Sequence, residues 1–173
     1  MGIVVRAETE RDAVAVQLVN QAAFGGDQEV RLIRRLRDTD SVAPGLSLVA
    51  EENGRVVGHL VLSKARLERE GGEALEILAL GPMSVVPSHS HRGIGSRLVR
   101  AAIEEARRQG YPAIVVTGYP DYYRRFGFEP AAGRGLSCNL DAPESAVLVL
   151  ELREGVLAGG GRIVYPSPYE EVF

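Results

Sequence analysis

Cysteine is almost missing from this chain of 173 residues, where Cys138 stands alone. A single thiol excludes an intrachain disulfide framework and a cysteine-built zinc site, and it is read as a half-buried small hydrophobe. Long apolar runs are missing too, since none approaches the roughly 20 residues that span a bilayer. The opening Met1-Gly2-Ile3-Val4-Val5-Arg6 lacks the charged-then-apolar order of a signal peptide, so a cytoplasmic location is expected. Nor is there a surplus of positive charge. A formal net charge of -3 argues against a general nucleic-acid binder, whose surface needs a cationic excess. Neither nucleic acid nor membrane is therefore expected as a partner. What is present is an ordinary globular balance, 45% hydrophobic and 25% charged, in a chain long enough to bury one core without metal or disulfide support.

Periodicity and punctuation divide the chain into alternating elements. A short strand over 3–6 leads to Thr9, which caps a helix over 10–23 whose apolar stripe is Val14, Leu18 and Ala22. Gly25-Gly26 ends it. A second helix over 27–37 places Val30, Ile33 and Leu36 on one stripe. A strand over 47–52 meets Asn53-Gly54, a strong hairpin signal, and returns over 55–67. Gly71-Gly72 turns the chain into a long strand over 74–86. Gly81-Pro82 lies inside that strand, and proline donates no ladder hydrogen bond, so a bulge or a free edge is expected there. After a polar loop over 87–92 comes a helix over 93–109 with the stripe Leu98, Val99, Ala102, Ile103 and Ala106. The apolar run 113–117 reads as a buried strand parallel to the one before the helix. Pro120 opens a short helix to 125, a late strand covers 146–152, and Gly159-Gly160-Gly161 begins a tail. The expectation is one domain over 1–152, with 153–173 as a C-terminal extension packed on or flanking it.

The informative unit is strand, paired-glycine loop, long helix, parallel strand. Arg92-Gly93-Ile94-Gly95-Ser96 lies at a helix N-terminus, where unpaired N–H groups and the positive end of the dipole favour an anion. Gly93 and Gly95 clear the backbone for a diphosphate, Ser96 offers a hydroxyl, and Arg92 and Arg97 offer charge. A P-loop would need Gly-Lys-Ser/Thr, and no lysine follows these glycines. A dinucleotide loop would need a third glycine where Leu98 stands and an acidic residue near Thr117-Gly118. Neither pattern is met.

Met83-Ser84-Val85-Val86-Pro87, a five-residue gap and Gly93-Ile94-Gly95-Ser96 resemble the coenzyme A signature of the GNAT N-acetyltransferase superfamily, Gln/Arg-x-x-Gly-x-Gly/Ala behind a bulged strand. Tyr122-Tyr123-Arg124-Arg125-Phe126-Gly127-Phe128 is similar to the aromatic motif opening the family's last helix, in a form most like the bacterial YhbS-like branch. The order of elements agrees from about residue 3 to 152. The resemblance implies a mixed α/β (α+β) fold with a mostly antiparallel central sheet, a splayed parallel strand pair and flanking helices. It implies acetyl-CoA as acyl donor and a small-molecule or protein amine as acceptor. The late strands or tail often pair in this superfamily, so a homodimer is a further expectation from resemblance. The signature's first position departs from the pattern: Ser90 stands there, too short to reach a phosphate, with His91 or Arg92 as substitutes. Backbone contacts from His91 to Ser96 are expected to dominate.

By the same resemblance, Met83, Ser84 and Val85 would bind the acetyl carbonyl and the pantetheine arm, and Tyr122 would line the cofactor site. Tyr123 matches the general acid that protonates the departing thiolate. Glu76 on the bulged strand is a candidate base, as is His59, whose other reading is a packed structural residue. Ala79 stands near the family's usual carboxylate position. Ser84 or Cys138 as covalent nucleophile lacks a Ser/His/Asp pattern, so direct transfer in a ternary complex is favoured. His89 and His91 lack the acidic or thiol partners of a metal site, so no metal is expected. A non-catalytic acyl-CoA sensing module is the alternative function.

Overall fold

A computed structural model describes residues 2–172. The chain runs β1 (Ile3–Ala7), α1 (Ala13–Phe24), α2 (Gln28–Asp38), β2 (Val42–Glu52), β3 (Arg55–Glu68), β4 (Leu75–Val85), α3 (Ile94–Arg108), β5 (Ala113–Thr117), α4 (Pro120–Arg124), β6 (Glu129–Pro130), β7 (Leu136–Cys138), β8 (Val147–Glu151), β9 (Gly161–Val164) and α5 (Pro168–Val172). The main sheet has the order β1-β2-β3-β4-β5-β8-β6, with β9 joined to β3 and β7. Most pairs are antiparallel. β4 and β5 are parallel, joined by a crossover through α3. The expected mixed sheet with flanking helices is the fold observed. No helix among the described residues is long and apolar enough to cross a membrane.

Local chemistry explains the framework. Asn53 and Gly54 both have positive φ, 52° and 79°, as a two-residue I′ hairpin requires. On one face of the sheet Leu60, Leu62, Leu78 and Leu80 pack with Leu98, Val99 and Ala102 of α3. On the other, Leu32 and Leu36 of α2 join Ala79, Ala113, Val115, Tyr165 and Tyr169.

Two expectations change. α1 buries Val16, Val19 and Asn20, whereas Val14 and Leu18 are 71% and 58% exposed and Ala22 is exposed as well. The helix is apolar nearly all round, so spacing alone did not choose its inner face; Asn20 is drawn inward by a bond to Val16 O (2.9 Å) and contact with His59 Nδ1 (3.3 Å). β2 begins at Val42 rather than at 47, because pairing with β3 skips from Val42↔Ser63 to Ser47↔Val61 across the Pro44-Gly45 irregularity. The late segment is built into the sheet and core. β9 pairs with Arg66, Leu67 and Glu68 of β3, which β2 no longer covers, and α5 buries Pro168 and Tyr169.

Candidate active site

The expected bulge is present in β4. Leu60 pairs with Met83 and Leu62 with Leu80, so one residue of β3 faces two of β4, Gly81 and Pro82. Gly81 takes φ 128°, a region closed to ordinary side chains. On the other edge, pairing with β5 proceeds through Leu78↔Ile114, Ala79↔Val115 and Leu80↔Val116 and stops there. From Gly81 onward β4 keeps β3 as a neighbour while its second edge is unpaired with β5. The two strands part at this point.

Beyond β4 the chain makes a short turn over Pro87–His89 and enters α3 through Gly93, whose φ of 78° is left-handed. His91 is left-handed as well, at 63°. The first intrahelical contact is Arg97 N to Gly93 O at 3.1 Å. Among the described residues, no main-chain carbonyl accepts from the N–H groups of His91 through Ser96. Six amides with unspent donors thus collect at the positive end of a 15-residue helix.

A hollow joins this loop to the open part of β4. Its lining includes Met83, Ser84 and Val85, the stretch His89 to His91, Gly93 to Ser96, Tyr122 and Arg125. Of the residues singled out for the cofactor, Met83, Ser84, Val85, His91, Gly93, Ile94, Gly95, Ser96 and Tyr122 come together here. Arg92 does not line it. Its guanidinium is 2.9 Å from Glu52, which also holds His89 at 3.0 Å.

Arg125 supplies the cation instead. Its guanidinium lies 2.9 Å from Ser96 Oγ and 4.6 Å from the centre of the Tyr122 ring, a stacked arrangement that fixes a flexible side chain beside the amide loop. Sequence reasoning missed this residue, although it lies inside the aromatic motif. Tyr122 in turn reaches Gly95: a β-carbon there would stand 3.0 Å from the tyrosine hydroxyl. The glycine is needed for packing as well as for access to the loop.

Tyr123, at the end of α4, is 8% exposed and packs edge-on against Tyr122 and Phe128, with ring centres 5.0 and 5.6 Å apart. Burial, with a smaller contribution from Tyr122, raises its hydroxyl above the ordinary tyrosine range. The hydroxyl has no hydrogen-bond partner among the described residues. Gly118, just after β5, makes room for its ring, so the side chain sits where the strands separate.

Glu76 does not join these residues. It is exposed near the start of β4, opposite Arg66. The five residues to Gly81 span about 16 Å at roughly 3.3 Å per residue. His59 is fully buried, and its two nitrogens are engaged. Asn20 Nδ2 donates to Nδ1, Nε2 lies 3.0 Å from Ser47 Oγ, and Ser47 donates to Glu8. The chain of partners assigns the proton to Nε2, and the ring does not line the hollow.

This geometry matches a known architecture. A family model described as the acetyltransferase (GNAT) domain matches residues 4–131. The chain belongs to the GNAT acetyltransferase family. Among curated relatives it is 37% identical over 134 residues to the Escherichia coli uncharacterized N-acetyltransferase YjhQ, covering 77% of this chain and 74% of that protein. It is 30% identical over 157 residues to Escherichia coli YhbS, also an uncharacterized N-acetyltransferase, covering 91% and 92%. The crystal structure of YhbS in complex with CoA superposes with a TM-score of 0.89 over 97% of this chain and 92% of that one, at 30% identity. A GNAT family acetyltransferase from Brucella melitensis in complex with acetyl-CoA follows at 0.77, with 28% identity over 97% and 98%. As a member of this family the chain is an N-acetyltransferase, and the expected class of enzyme is the one found.

Proposed function

We propose that this protein binds acetyl-CoA and transfers its acetyl group directly to an amine. The observation that carries the proposal is that the unpaired amides of His91 and of Gly93 to Ser96 open into the same hollow as the unpaired edge of β4. A diphosphate on that loop is bound by N–H donors and the helix dipole, with Arg125 adding charge. The pantetheine arm carries amides, and along Met83, Ser84 and Val85 it pairs as a short pseudo-strand. The relatives crystallised with CoA and with acetyl-CoA support the same reading.

The acceptor nitrogen attacks as a neutral amine, since an ordinary lysine amine at about 10.4 is protonated near pH 7. As the N–C bond forms, charge on the thioester oxygen is held by a backbone N–H of β4. The C–S bond then breaks, the thiolate leaves against the hydroxyl of Tyr123, and the proton lost by nitrogen passes to water. At reference values of about 10 for tyrosine and about 8.5 for a thiol, complete proton transfer would cost on the order of 2 kcal/mol. The raised value of buried Tyr123 increases that cost. Tyr123 therefore acts as a hydrogen-bond donor to the departing sulfur, while solvent supplies the proton that remains on it.

Titration calorimetry with CoA and acetyl-CoA, followed by thiol release over a panel of small and peptide amines, tests the proposal. Binding with amine-dependent thiol release is the expected result. Binding without release across the panel makes the protein a sensing module, and silence in the calorimeter removes both readings.

A further inference from the structure

The last paired residues of β4 and β5 are Leu80 and Val116. The next residue on each strand is claimed by a tyrosine from the C-terminal segment. Tyr169 donates its hydroxyl to Gly81 O at 2.7 Å, and the Tyr165 hydroxyl lies 2.9 Å from Thr117 Oγ1. The two rings meet edge-on, 4.9 Å apart, and are 8% and 2% exposed. Burial raises both hydroxyls above the ordinary tyrosine range.

The position of this pair matters because of the direction of the hollow. The amide loop lies beyond the C-terminal end of β4. A thioester carrier anchored there runs back along Val85, Ser84 and Met83 toward Gly81, and its acyl end arrives last, at the fork. The fork is where the tyrosines stand. A hydroxyl on the Gly81 carbonyl also replaces a ladder partner, so the strands do not close further.

We propose that Tyr165 and Tyr169 form the end wall of the acyl cleft and that Tyr169 sets the length of acyl chain accepted. This rests on the acetyl-CoA reading above. A methyl group ends against the rings, while a longer chain must displace buried aromatic packing that is hydrogen-bonded at both edges. Each surplus methylene at a closed apolar wall is discriminated by roughly 10-fold or more, so butyryl-CoA is expected to be strongly disfavoured.

The test needs no acceptor amine. Dissociation constants of CoA, acetyl-CoA and butyryl-CoA are measured by calorimetry for the full chain and for Tyr169→Phe, Tyr169→Ala and Tyr169→Leu. The wild type should bind acetyl-CoA more tightly than butyryl-CoA. Tyr169→Phe, which keeps the ring, should preserve that order. Tyr169→Ala should reduce the acetyl-to-butyryl preference by about 10-fold or more while binding CoA itself as before. Tyr169→Leu retains apolar volume and reports the same change if the alanine variant does not fold. The inference is overturned if the shortened variants bind CoA normally with unaltered preference, or if the wild type does not discriminate. A wild type that binds no CoA overturns the acetyl-CoA reading and this one with it.

Discussion

The ring of Tyr123 lies over the backbone of Gly118, so near that a β-carbon on the glycine would come within 2.6 Å of Cε2. The aromatic motif thus has its counterpart at the end of β5, where even a methyl group would push the hydroxyl from the fork. Tyr123→Phe should lower kcat by about 10- to 100-fold, the scale of a lost hydrogen bond to a charged leaving group, with little change in CoA affinity. Gly118→Ala should reproduce part of that loss, about 10-fold, through misplacement alone. Thiol-release kinetics with calorimetry separate the two terms, and a phenylalanine variant with undiminished kcat would remove Tyr123 from the chemistry.

The amide loop predicts a different signature. Gly95→Val would drive a side chain into the Tyr122 hydroxyl and Met83, and should weaken CoA by at least about 10-fold. Arg125→Ala should weaken CoA and flatten the salt dependence of binding. Arg92→Ala, which removes a cation already tied to Glu52, should change affinity less. Equal losses from the two arginines would reject this division of labour.

Acid should expose the buried polar chain under α1. Glu8, with a side chain 7% exposed, is opposed by burial, but bonds from His59, Ser47 and Arg37 outweigh it and lower the carboxyl to about 2. Its folded value lies below the unfolded one, so its stabilisation is present above about pH 4.5 and is lost as pH falls toward 2. The loss is on the order of 2–3 kcal/mol. Denaturant melts should show stability declining through that window, and Glu8→Gln should be less stable at neutral pH with a shallower decline.

Much of this could be read from residue types, and the reasons differ by element. The bulge followed from proline's missing N–H, and the anion loop from glycines before a helical stripe; both are local rules. The inner face of α1 was not readable, because Ala13–Phe24 is apolar on nearly every side and a buried asparagine contacting His59 set the rotation. Arg125 meets Ser96 across 29 positions and Tyr169 meets Gly81 across 88, separations that leave no periodic trace. Glu76 had a suitable side chain on the right strand. Only the register reveals that it sits at the far end.

The single extra residue in β4 also resets its alternation. Ahead of the bulge, even-numbered Leu78 and Leu80 lie with the α3 layer; after it, odd-numbered Met83 and Val85 take that side, and Ser84 falls opposite His59. In an unbroken strand the parity would be reversed, with a serine hydroxyl among leucines and Met83 withdrawn from Gly95. Deleting one residue at positions 81–82 would therefore restore a regular ladder while leaving Met83, Ser84 and Val85 opposite their present partners and on their present faces, so such a variant separates the loss of the fork from any change in the side chains downstream.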